Sequence, residues 1–65
     1  MRVLMRELRQ SKELSIQDVA NSLGVDRTTY NNIELGKTDP SFKLALKLKE
    51  YFNCNTDDIF LNKNV

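Results

Sequence analysis

The sequence predicts a small all-α domain of five short helices, and three observations carry that prediction. Apolar residues recur at i, i+3 and i+4, the period of helices that bury one face. Ser15, Asp26, Ser41 and Thr56 each stand directly before such a run, and short polar side chains of this kind satisfy the free N–H groups of a first helical turn. Gly24 and Gly36 stand directly after two of the runs, where glycine enters the left-handed region without steric cost.

Sixty-five residues suffice for one domain, 1–65, with an expected core of 2–61 and a polar tail of 62–65. A chain of this size buries only about 60% of the surface its unfolded form exposes, so its stability is thin. One cysteine and no histidine offer neither a disulfide framework nor a metal-ligand set. Dimerisation is therefore a plausible second source of stability. The composition, 40% hydrophobic and 29% charged with two glycines and one proline, suits a helical globular domain. No stretch resembles a signal peptide or a membrane span. A lone cysteine fits a reducing compartment, so the expected location is cytoplasmic.

The first helix is expected over 2–12, with Leu4 and Leu8, joined by Val3 or Met5, on its apolar face and Arg2, Arg6 and Arg9 on a second stripe. Arg2 and Arg6 read as a solvated basic face. Glu13 occupies a position where glycine is more comfortable, which predicts mild strain before Leu14. The second helix opens at Ser15, with Asp18 three positions on as the reciprocal partner of a capping box. Val19, Ala20 and Leu23 line its apolar face, and Gly24 ends it. The third helix, 26–35, buries Tyr30 and Ile33 and ends at Gly36. Two helices of about eight residues joined by a short glycine turn follow the helix-turn-helix plan.

The loop GKTDPS, whose proline cannot continue a helix, leads to a fourth helix over 42–52 that Ser41 caps. Phe42, Ala45, Leu46 and Phe52 mark one face and Leu44, Leu48 and Tyr51 its neighbour. So wide an apolar arc predicts the central helix of the bundle. Lys49 falls inside it and is expected to snorkel. Thr56 caps a short fifth helix, 57–61, with Asp57 and Asp58 in its first turn, where the helix dipole favours negative charge.

Enzyme chemistry finds no support. There is no histidine and no glycine-rich phosphate loop, and Asp57-Asp58 is explained by its place at a helix start. No cofactor, metal or small-molecule ligand is implied. Cys54 reads as a small core residue in the turn before the last helix. The net charge of +1 is low for a protein that grips phosphates; a local excess of basic residues lies only in the first fourteen positions.

What points to a partner is the outward strip of the third helix: Arg27, Thr28, Asn31 and Asn32. A face made only for solubility is filled with Glu, Lys and other strong helix formers, whereas Thr and Asn are weak ones. These side chains suit base edges: arginine bonds guanine bidentately, asparagine bonds adenine, and the threonine methyl meets that of thymine. Tyr30 is expected to bury its ring and keep its hydroxyl at the surface, within reach of a phosphate.

Taken together, residues 5–60 resemble the helix-turn-helix domain of phage repressors, Cro proteins and the bacterial xenobiotic-response-element (Xre) regulators. The matching pieces are LR at 8–9, LS at 14–15, VA at 19–20, LGV at 23–25, IE at 33–34, GK at 36–37, DPS at 39–41 and DDIF at 57–60. The resemblance implies a five-helix, lambda-repressor-like fold and operator binding as a homodimer, with the third helix in the major groove. It places Arg27, Thr28 and Asn32 at base-reading positions with Asn31 beside them. It puts Lys37 and the start of the second helix, Ser15 to Gln17, against phosphates, and it pairs Arg9 with Glu34 as a structural salt bridge. Three departures stand out. Ile16 occupies the place of a usual DNA-touching glutamine, with Gln17 one residue later and so rotated by about 100°. Glu13 stands where glycine or asparagine is common, and Lys49 where a small residue is frequent.

The function expected is a sequence-specific transcriptional regulator, a repressor on an inverted-repeat operator in double-stranded DNA, dimerising through Ile59, Phe60, Leu61 and Val65. The alternative is a protein-interaction module or antitoxin of the same fold with weak DNA binding of its own, favoured by the near-neutral charge and the displaced glutamine.

Overall fold

The computed structural model describes residues 1–63. Four α-helices, α1 (Val3–Ser11), α2 (Ile16–Leu23), α3 (Arg27–Leu35) and α4 (Phe42–Tyr51), precede a single 3₁₀ turn at Asp57–Phe60. The capping residues act where the sequence puts them. Ser15 Oγ accepts from the Asp18 N–H at 3.0 Å, and the Asp18 carboxylate accepts from the Ser15 N–H at 2.9 Å. Asp26 accepts from the Thr29 N–H at 3.3 Å and Ser41 from the Leu44 N–H at 3.2 Å. At the C-terminal ends Gly24 and Gly36 take left-handed φ values of 73° and 80°. Glu13 is held at φ 57°, the strain expected of a non-glycine residue there.

The fifth helix is corrected to a 3₁₀ turn. Residues 57–60 are too few for an α-helix to gain cooperative length. Leu61 N–H closes the turn onto Asp58 O at 3.1 Å, after which the chain extends. The first and fourth helices are each a little shorter than the apolar pattern implied.

The core consists of Met5, Val19, Ala20, Leu23, Tyr30, Ile33, Leu48, Phe52 and Ile59. Packing runs from α2 to α3 and α4, and from α1 to α3 and the 3₁₀ turn. Helix α4 packs chiefly against α2, so the expectation that α4 is central is corrected. Leu48 is buried and Leu44 and Tyr51 pack partly against the core, whereas Phe42 is 81% exposed and Leu46 51% exposed. A helix covered from one side buries about one stripe; of the second stripe Phe52 reaches the core and Phe42 and Leu46 are left over. Lys49 Nζ reaches Asp57 Oδ1 at 2.9 Å. Cys54 is partly buried against the core, its Sγ 3.5 Å from Thr56 O.

Arg2 is the largest departure from the sequence reading. It is 3% exposed, not part of a solvated face. Its guanidinium donates to the carbonyls of Ile33 at 2.6 Å, Thr38 at 3.0 Å and Phe60 at 3.2 Å, and to Asp39 Oδ1 at 2.6 Å. The carbonyls at the end of a helix lack intrahelical partners, and Arg2 supplies one where α3 stops. Burial is tolerated because four of its five donors have acceptors within the chain. Among the described residues no helix is long and apolar enough to cross a membrane.

Candidate nucleic-acid interface

Helix α3 starts at Asp26 because the aspartate carboxylate takes an N–H of the first turn. Its buried side presents Tyr30, Ile33 and Glu34. Opposite, Arg27, Thr28 and Thr29 are exposed and Asn31 and Asn32 half-exposed. Among the described residues, the side chains of Arg27, Thr28, Asn31 and Asn32 make no hydrogen bond or ion pair within the chain. Their donors and acceptors are thus available to something outside it. Thr29, which the sequence reading passed over, stands exposed beside them; its signal was its place directly after Arg27 and Thr28 in the first turn.

The other side of α3 is locked. Arg9 grips Glu34 with two bonds, Nε to Oε2 at 2.8 Å and Nη2 to Oε1 at 2.9 Å, and its Nη1 donates to Leu14 O at 2.8 Å. Two parallel charge-assisted bonds fix orientation as well as distance. The hydrogen-bonded carboxylate pushes the Arg9 pKa further up. This pair joins α1 to α3 and sets the angle at which the outer strip is presented.

Tyr30 does not occupy the position expected of it. The whole residue is buried, and its hydroxyl lies beside the Arg9–Glu34 pair without a well-formed hydrogen bond. Burial first, then the Glu34 charge, push the phenol pKa up. No part of it reaches a phosphate. The ring sits at i−3 from Ile33, and its tip follows it inward between α1 and α3.

The phosphate candidates divide. Lys37 is exposed just beyond α3, its N–H bonded to Asn32 O at 2.9 Å. Ser15 spends its hydroxyl and N–H on the capping box. Among the described residues the Ile16 and Gln17 N–H groups have no partner within the chain, as befits a first helical turn. Gln17 is exposed, but its side-chain amide donates to Asn21 Oδ1 at 2.8 Å. It lies along its own helix rather than bracing α3. Ile16 packs against the core, which accounts for an apolar residue at that position.

Of the residues assigned to a dimer surface, Ile59 is corrected: it is fully buried and has no surface to offer. Phe60 is half-covered by the core, Leu61 is 57% exposed, and Val65 lies outside the described residues. Phe42 and Leu46 of α4 are exposed apolar residues as well. Among the described residues no group of histidine, cysteine, aspartate or glutamate side chains is arranged to hold a metal.

Comparison with known proteins agrees with this geometry. The family model described as helix-turn-helix matches residues 5–59. An HTH-type transcriptional regulator of Methanocaldococcus jannaschii is 42% identical over 57 residues, covering 88% of this chain and 86% of the relative. One from Archaeoglobus fulgidus is 38% identical over 61 residues, covering 94% and 86%. A prophage-derived regulator of Bacillus subtilis is 36% identical over 53 residues, covering 82% of this chain and 49% of its own length.

Proposed function

The chain belongs to the helix-turn-helix family of transcriptional regulators, and we propose that it is a sequence-specific repressor that binds an inverted-repeat operator as a homodimer. The observation that carries this reading is the strip Arg27, Thr28, Asn31 and Asn32, exposed in part or in full and bonded to nothing else among the described residues. In the major groove these side chains match the donor and acceptor pattern of guanine and adenine edges and the methyl of thymine. Lys37 and the first-turn amides of α2 supply phosphate contacts that fix register without reading sequence.

Dimerisation is supported by apolar surface that the monomer leaves open at Leu61, Phe42 and Leu46. A two-fold pair would place its recognition helices about 34 Å apart, one turn of DNA. Occupying the operator is enough to exclude other proteins from it, so repression demands no further chemistry. A cytoplasmic location follows from such a role.

The near-neutral charge and the bond of Gln17 to its own helix favour a second reading, a module that binds protein or acts as an antitoxin. Titration into random-sequence duplex DNA at low and moderate salt separates the two. A DNA binder loses affinity steeply as salt rises, because each neutralised phosphate releases counterions. Absence of binding even at low salt would select the interaction module.

A further inference from the structure

Arg2 has no part in the DNA reading above, yet its contacts converge on the segment that carries Lys37. Besides the bonds to Ile33 O and Thr38 O, its backbone N–H donates to Glu34 O at 2.9 Å. Lys37 is therefore flanked by acceptors that one residue holds, two at the end of α3 and one in the loop after it. The far end of the guanidinium holds the Asp39 carboxylate at 2.6 Å, and the Asp39 side chain is otherwise 91% exposed. The backbone of residues 36–39 is tied down further where Asn62 Nδ2 donates to Gly36 O at 3.0 Å.

We propose that Arg2 and Asp39 form a positioning clamp that holds the loop so that Lys37 meets a DNA phosphate, an inference that rests on the DNA-binding reading. Asp39 is an acid two residues from a phosphate-contacting lysine. On charge alone it opposes DNA, and its removal should help binding. As half of the clamp it has the opposite effect: it fixes the Thr38–Asp39 backbone to a buried guanidinium and thereby fixes Lys37. A long lysine on a loose loop gives up rotamer and backbone freedom each time it binds a phosphate, and a pinned loop has already given up the backbone share.

The two views predict opposite signs for Asp39→Ala. This variant keeps the three carbonyl acceptors of Arg2 but removes the counter-charge of a buried guanidinium, which lowers stability. Binding is therefore compared at a temperature where circular dichroism shows both proteins fully folded. The clamp predicts binding to random duplex about threefold to tenfold weaker at low salt, with the salt slope reduced by about one phosphate contact. It also predicts that Asp39→Ala adds little in a Lys37→Ala background, since both act on one contact. Amide exchange in the free protein gives a readout independent of DNA: in Asp39→Ala the Thr38 N–H should speed up by a larger factor than the Ile33 N–H, which reports the stability of α3 as a whole. Unchanged or tighter DNA binding by Asp39→Ala, or full additivity with Lys37→Ala, would overturn the clamp. Failure of the unaltered protein to bind any duplex would instead overturn the DNA reading beneath it, and the two failures are thereby distinct.

Discussion

The two sides of α3 carry polar residues in opposite states. Inward, Glu34 is wrapped by Arg9 with two short bonds, and Arg2 occupies the Ile33 and Glu34 carbonyls. Outward, Arg27, Thr28, Asn31 and Asn32 have their hydrogen-bonding capacity open. Buried polar groups must be paired within the molecule because nothing else can pair them. Exposed ones of low helix propensity, left unpaired, suit a partner. The difference teaches that residue type alone does not separate scaffold from contact: arginine serves both, and its partners decide which.

The largest expected effect lies on the inward side. Arg9→Ala leaves the buried Glu34 carboxylate uncompensated, at a cost of about 3–5 kcal/mol. That approaches the whole stability of a domain this small, roughly 3–10 kcal/mol. Chemical denaturation should show a large fall in the midpoint, and any folded fraction should keep its base preference. An unchanged midpoint would remove the pair from the account.

Next comes the outward side. Arg27→Ala should weaken cognate binding by about 1–3 kcal/mol and relax preference at one base pair, with little change in melting temperature. Lys37→Ala should weaken all sequences alike and reduce the salt slope by about one. Equal shifts of specificity from both variants would erase the distinction between base reading and phosphate contact.

Smaller effects sharpen the inward side. Tyr30→Phe removes a buried hydroxyl without a well-formed partner, so at neutral pH its stability should change by less than about 1 kcal/mol. At alkaline pH the two proteins should diverge. The folded phenol has its pKa raised above the unfolded value of 10.0, so its contribution is intact below that pH and is lost as pH rises beyond it. Tyr30→Phe should flatten that alkaline loss. In acid the capping carboxylates respond. Asp18 is held below the ordinary range first by the Ser15 backbone N–H, and Asp26 by hydrogen bonding from the Thr29 side chain and backbone. Their contribution is present above the unfolded value near pH 4 and is lost as pH falls through the lower folded values. Helicity measured across that range should decline gradually, and Asp18→Asn should blunt the decline.

Local chemistry made much of this fold legible. Ser15, Asp26 and Ser41 announce helix starts and Gly24 and Gly36 helix ends, because each acts on backbone groups within a few residues of itself. The strip at 27–32 was readable for the same reason: it follows from helical period and residue type. Burial of Arg2 and of the Tyr30 hydroxyl was not, since it depends on which elements meet, and that is decided by the whole packing. A clue to Arg2 did exist, seven positions before Arg9 and so on the same side of the first helix as an arginine with a buried partner. Phe42 and Leu46 misled in the other direction. A wide apolar arc shows how much a helix can bury, and not how much its neighbours cover.

The most direct test of the contrast within α3 is selection of bound duplexes from a random pool, run with the unaltered protein and with Arg27→Ala. The account predicts an enriched two-fold-symmetric site whose half-sites lie about one helical turn apart, with one position per half-site relaxed in the variant. Enrichment of no motif, or of the same motif undiminished by the substitution, would contradict it.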